Sequence, residues 1–166
     1  MYQLAQVNIA RLLAPLDDPL LADFVANLEP VNALADDADG FVWRLADGGD
    51  ATSIRVFDDD WLIVNMSVWR SPAALLSFVY GAGHRAVLRR RREWFAKLDA
   101  AVTALWWVPA GHRPTVAEAE ERLVQLRLHG PGPRVFGLRS IFPAPDGTGT
   151  EPVDDLHARR PAECDA

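Results

Sequence analysis

Trp61-Leu62-Ile63-Val64-Asn65-Met66-Ser67-Val68-Trp69 alternates along its whole length, and the fold of the chain turns on it. A strand sends successive side chains to opposite sides. Leu62, Val64, Met66 and Val68 make one side purely aliphatic, while Trp61, Ile63, Asn65, Ser67 and Trp69 make the other side mixed. The aliphatic side is expected to pack under helices, and the mixed side to line something partly polar. Ser71-Pro72 follows at once. A serine N-cap with proline in the first helical position predicts a helix through Ala73–Tyr80.

Upstream, Tyr2–Ala10 leans towards a strand through Leu4, Val7 and Ile9. The Asp17-Asp18-Pro19 cluster starts a helix whose apolar residues (Leu20, Leu21, Phe24, Val25, Leu28, Val31) recur at helical spacing, with a kink expected at Pro30. Phe41–Leu45 reads as a short strand, and Ala46–Asp60 as a hairpin loop with an extended piece at Thr52–Phe57. Downstream, Gly81 and Gly83 interrupt the helix before a second one that carries His84 and the arginine run. Thr103–Val108 is a strand, and Thr115 with Glu118 forms a capping box for a last helix over Val116–Leu128. Gly130-Pro131-Gly132-Pro133 stops that helix, and Val135–Leu138 is a candidate edge strand. The order β-α-β-β-α-β plus a helix is that of an α+β, ferredoxin-like fold with an antiparallel four-stranded sheet and an extra C-terminal helix. Residues 1–142 are expected to form a single domain and residues 143–166, rich in Gly, Pro and acid, a mobile tail.

Composition narrows the function classes. The chain has 166 residues, 49% of them apolar and 24% charged, which is ordinary for a globular domain with a real core. No apolar run is long enough to span a bilayer, so no membrane partner is expected. The first residues lack a basic region followed by an apolar stretch, and the single cysteine, Cys164, permits no intrachain disulfide. A cytoplasmic protein without a thiolate metal site is the expectation. Charge is uneven: residues 1–60 hold twelve acids and three bases, residues 61–97 seven bases and one acid. The net charge of −6, with the arginines confined to one helix, argues against nucleic acid as a partner.

The arginine helix carries the oddest pair of residues. At about 100° per residue, Val87, Leu88, Arg91, Phe95 and Leu98 fall on the same stripe as His84. An inward guanidinium needs a partner and an inward imidazole a hydrogen bond or a role. Arg91 is a candidate anchor for an anionic group, or pairs with the acidic N-terminal half. Asn65, Ser67, Asn8 and Gln6 are candidates for orienting a ligand, or serve an interface. Trp43, Trp61, Trp69, Trp106 and Trp107 could make an aromatic pocket for a planar ligand, or core. Tyr80 is a candidate donor to a substrate. His112, His129 and His157 have no metal-ligand spacing, and no metal site is expected.

Several of these motifs occur together in known families. Gly40-Phe-Val-Trp-Arg44, the Trp61–Trp69 strand, Ser71-Pro-Ala-Ala-Leu75 and His84 resemble the dimeric α/β-barrel superfamily, which includes the antibiotic-biosynthesis monooxygenases. From Leu4 to about Phe142 the chain more closely resembles the bacterial domain-of-unknown-function family 3291, through Phe78-Val-Tyr, Gly83-His84-Arg85, Arg89–Trp94 and Trp106-Trp107-Val-Pro-Ala-Gly-His112. The aromatic before a Gly-His pair, the arginine-rich turn and the Trp94-Phe95 pair are distantly similar to spheroidene monooxygenase, until Ala96-Lys-Leu-Asp departs from it. The first resemblance implies a homodimer whose two sheets close a barrel, with the mixed face lining the interior. It also implies a monooxygenase-like enzyme acting on a small apolar organic molecule, or a non-catalytic ligand binder of the same fold. The last implies haem as a candidate cofactor, with His84 as its ligand; otherwise His84 handles protons. In this reading Arg91 holds an anionic group, and Asn65, Ser67, Trp69, Tyr80 and Trp43 touch the substrate.

Overall fold

A computed structural model describes residues 1–46 and 56–147. Most of the loop expected at Ala46–Asp60 therefore lies outside the described residues, as does the tail beyond Gly147. Strand β1 (Tyr2–Leu12) leads through a single 3-10 turn (Pro19–Leu21) into helix α1 (Ala22–Asp36). Strands β2 (Phe41–Arg44) and β3 (Leu62–Trp69) follow, then helices α2 (Pro72–Tyr80) and α3 (Ala82–Trp94). Strands β4 (Phe95–Ala96) and β5 (Thr103–Pro109) and helix α4 (Val116–His129) complete the order.

The caps read from sequence are in place. Asp18 accepts a hydrogen bond from the Leu20 N–H, Ser71 from that of Ala74 and Thr115 from that of Glu118. Helix α1 continues through Pro30, and Gly81 at φ −61°, ψ 149° separates α2 from α3. Gly40 sits at φ +82° between α1 and β2, where a Cβ would lie 2.5 Å from Ala74 Cβ. The turn there thus needs both the left-handed backbone and the missing side chain.

All sheet pairings are antiparallel, and β1 is central. Strands run in the order β2-β3-β1, with β5 on the far side of β1 over Tyr2–Asn8 and the short β4 over Arg11–Leu12. Taking β5 as the fourth strand gives the ferredoxin-like order. The expected edge strand at Val135–Leu138 is a single bridge, Leu105 to Phe136.

Two expectations about the sheet are corrected. It has five strands, because the chain leaves α3 at Trp94 and adds Phe95–Ala96 to β1. It is also open and not closed into a barrel, since β2 and β5 are separate edges. Packing supplies the reason. The aliphatic face (Ala5, Val7, Ile9, Leu62, Val64, Met66, Val68) is buried with Ala119 and Leu123 of the chain's own α4. The ends of the mixed face are covered as well. Leu4, Trp69 and Leu105 pack with Leu75 of α2 and with Phe136, while Leu12 packs with Leu21, Phe24 and Trp94. The mixed face therefore does not line a barrel interior. At the C-terminal side Ala144 is buried, and Asp146 pairs with the N-terminal ammonium at 3.4 Å.

Candidate functional site

Strand register arranges the mixed face in rows. Trp69, Leu4 and Trp107 form one row, Ser67, Gln6 and Leu105 the next, and Asn65, Asn8 and Thr103 a third. Ala10 lies opposite Ile63 beyond them. The face is thus apolar at both ends, where helices cover it, and polar in the middle, where Asn65 is exposed.

The hydrogen bonds in that band have a fixed direction. The indole N–H of Trp69 can only donate, and it donates to Ser67 Oγ at 2.9 Å. Ser67 in turn donates to Gln6 Oε1 at 2.9 Å. The Gln6 carboxamide is thereby held with its oxygen towards Ser67 and its NH2 uncommitted among the described residues. Asn8 Nδ2 donates to Thr103 Oγ1 at 2.7 Å, which turns its Oδ1 the other way. The band presents a donor from Gln6, an acceptor from Asn8 and the exposed amide of Asn65. Trp69 is 1% exposed, so it orients Ser67 and does not itself reach a ligand. Thr103 was not singled out from sequence; its place opposite Asn8 depends on the register of β5, which the strand pattern does not specify.

His84 lies on the first turn of α3. Its Nδ1 is 3.1 Å from the Val79 carbonyl oxygen, so that nitrogen carries the proton and donates. Burial pushes its pKa below the ordinary histidine value, and the Val79 hydrogen bond opposes this only in part. The imidazole is neutral near pH 7, with Nε2 as the acceptor. Its ring is 4.8 Å from that of Phe78, which stacks at 5.2 Å on Trp69. His84 therefore connects to the polar band through Phe78 and not by direct contact.

The other predicted residues stand apart. Arg91 is exposed on α3 and makes no ion pair with a described residue. Its neighbour Arg90 is also at the surface, where it bonds Glu93, reaches Asp23 Oδ2 at 2.7 Å and lies 4.9 Å from the Trp94 ring centre. Helix α3 ends at Trp94, so Phe95 and Leu98 leave the helical wheel, and Val87 with Trp94 set its inward phase. Tyr80 is 53% exposed at the end of α2. Trp43 lies opposite Val68 and packs with the aliphatic-face core.

A second polar cluster escaped the sequence. The buried Trp106 donates its indole N–H to Glu118 Oε1 at 2.8 Å, and His112 Nε2 is 2.8 Å from Glu118 Oε2. Among the described residues no group of three or more His, Cys, Asp or Glu could hold a metal ion.

Haem can be tested against these surroundings. The His84 tautomer would leave Nε2 free to ligate iron. Phe78 packs against the imidazole and also lines a cavity of about 380 Å³ whose lining does not include His84.

The fold is that of a ferredoxin-like α+β protein, with a polar band on one sheet face. The chain belongs to the family described as "Domain of unknown function (DUF3291)", whose sequence profile matches residues 3–151. No curated protein matches it. Among solved structures, it is similar to SnoaB, a cofactor-independent oxygenase from Streptomyces nogalater, at 17% identity over 68% of this chain and 97% of that one, with a TM-score of 0.46. A protein of unknown function from Nitrosomonas europaea matches at 17% identity over 69% and 97%, with a TM-score of 0.44. Rv0793 from Mycobacterium tuberculosis matches at 12% identity over 68% and 99%, with a TM-score of 0.46. None of these likenesses links the chain to spheroidene monooxygenase. Among the described residues no helix is long and apolar enough to cross a membrane.

Proposed function

We propose that the protein is a small-molecule enzyme of the oxygenase type, acting on an apolar organic substrate laid across the polar band. The observation that carries this reading is the directional chain from Trp69 through Ser67 to Gln6, beside the Asn8–Thr103 pair. Gln6 and Asn8 then offer one donor and one acceptor at fixed places, Asn65 completes the polar contact, and Ile63 and Ala10 meet the apolar body. Such preorganised groups position a substrate without moving on binding. The resemblance of the Trp61–Trp69 strand and the Ser71 helix start to the antibiotic-biosynthesis monooxygenases supports the reaction class. His84 is the neutral imidazole available as a proton acceptor. Haem on His84 stays a candidate cofactor of this proposal, and no step is routed through it. Trp43, Tyr80 and Arg91 take no part in this reading. A homodimer is part of the proposal, with the exposed Val25, Leu34 and Leu88 on the paired helices α1 and α3 as apolar surface for a second copy.

One observation favours a second reading, a non-catalytic binder: Phe78 stands between the His84 imidazole and the band. Fluorescence titration with a hydroxylated polycyclic aromatic, run beside an oxygen electrode, decides between the two. Oxygen uptake lost in Asn65→Ala and Gln6→Ala supports the enzyme. Binding weakened by those substitutions without uptake supports the binder. Binding unaffected by either substitution refutes both. A Soret band lost in His84→Ala would assign haem to that residue, and a native mass of one chain would remove the dimer.

A further inference from the structure

We propose a second ligand site, for a small organic anion with an apolar body, in the cavity of about 350 Å³ at the end of the aliphatic sheet face. This site is separate from the polar band and does not depend on its function. Ile9 and Leu62, both almost fully buried, make its floor, and Leu98 and Phe57 make its apolar walls. Two guanidinium groups border it. Arg11 is committed to Asp59, whose other oxygen accepts the Trp61 N–H at 2.9 Å. Arg127 is not committed in this way. It lies 5.0 Å over the Phe57 ring and donates Nε–H to the Ala101 carbonyl at 3.0 Å. With Nε and one face engaged, its Nη1–Nη2 edge has no acceptor among the described residues. That edge is the part of arginine that grips a carboxylate through two parallel hydrogen bonds. Asp99, the other acid lining the cavity, has a side chain 98% exposed and lies 3.9 Å from Lys97.

The backbone of the wall is a two-residue hairpin turn between the bridged Val56 and Asp59, which calls for positive φ at both central residues. Phe57 and Asp58 have φ of +51° and +56°, two consecutive non-glycine residues in the left-handed region. The turn is held from α4, where Glu120 Oε1 accepts the Phe57 N–H at 2.7 Å. The same helix thus supplies the carboxylate that fixes the aromatic wall and the arginine that lies on it. An aryl or short alkyl carboxylate matches the arrangement: its body fits against Ile9, Leu62 and Leu98, and its charge meets Arg127.

Titrating the full chain with benzoate, and with benzyl alcohol as its neutral counterpart, tests the site by calorimetry and by amide shifts at Leu98 and Ala100. Benzoate is expected to saturate, with those shifts, and benzyl alcohol to bind at least about tenfold more weakly. Arg127→Met keeps the apolar stem and should weaken benzoate at least about tenfold, whereas Arg92→Gln, on exposed α3, should leave it unchanged. Ala100→Trp, at an exposed rim position, should block the cavity in a protein whose circular dichroism is unaltered. Benzoate affinity equal in wild type and Arg127→Met, or no saturable binding to the wild type, overturns the proposal.

Discussion

Ser67→Ala should destabilise the protein out of proportion to the atom removed, and Trp69→Phe should absorb most of the effect. Ser67 is 6% exposed and Trp69 1%. Deleting the hydroxyl leaves the Trp69 indole N–H buried with no acceptor, which costs about 1–3 kcal/mol. Gln6 is only half-buried, so its oxygen turns to water at little cost. Trp69→Phe alone removes the donor and shrinks a ring packed between Phe41 and Phe78, a loss of about 2 kcal/mol. The double variant has no unpaired indole N–H, so it should be about 1–2 kcal/mol more stable than the sum of the single losses predicts. Urea unfolding followed by far-ultraviolet circular dichroism measures all four proteins without relying on Trp69 as the probe. Losses that add to within about 0.3 kcal/mol would show that Ser67 does not satisfy Trp69, and the directional chain into Gln6 would lose its anchor.

Three further predictions rest on separate elements. Burial depresses the His84 pKa in the folded state below the unfolded value of 6.5. The unfolded chain therefore takes up the proton first, and stability falls as pH drops below about 6.5 until the folded pKa is passed. His84→Gln should flatten that part of the wild-type stability curve between about pH 7 and 5, read by urea midpoints. Gly40→Ala meets both a φ of +82° and a Cβ contact of 2.5 Å with Ala74, and should cost about 2–4 kcal/mol by thermal unfolding. Glu118→Ala strands the indole N–H of the 1%-exposed Trp106 and should cost about 1–3 kcal/mol, whereas Glu118→Gln keeps an acceptor and most of the stability.

How much could be read beforehand depended on whether a signal was local. The Trp61–Trp69 alternation, the Ser71-Pro72 start and the Thr115–Glu118 box are complete within a few residues, and each appears where sequence places it. The closing of the sheet is not a local property. It depends on where α4 goes after Gly111, and α4 returns across the aliphatic face. The arginine helix failed differently. A wheel through Leu98 needs a helix that reaches Leu98, but the chain turns extended at Phe95, where Phe95 pairs with Leu12. Val87 and Trp94 then set the inward stripe, and Arg90 and Arg91 flank it at the surface. Gln6, Asn8 and Ser67 could be named as polar strand residues, but their order as donor and acceptor needed the register.

A polar band on a half-open sheet face has a plainer explanation, that it keeps an uncovered patch wet. The two explanations treat Gln6 differently. A face that only needs hydration is indifferent to which polar group stands there, since exposed polar exchanges change stability little. A face that recognises a ligand depends on the NH2 that Ser67 turns outward. Gln6→Glu separates them, because a carboxylate still accepts from Ser67 and stays hydrated, yet replaces the outward donor with an acceptor. If the band is a site, this substitution should leave solubility and urea midpoint near those of the wild type while ligand binding falls at least about tenfold. Retained binding would assign the band to solvation, and the enzymatic reading would then have to find its substrate elsewhere on the molecule.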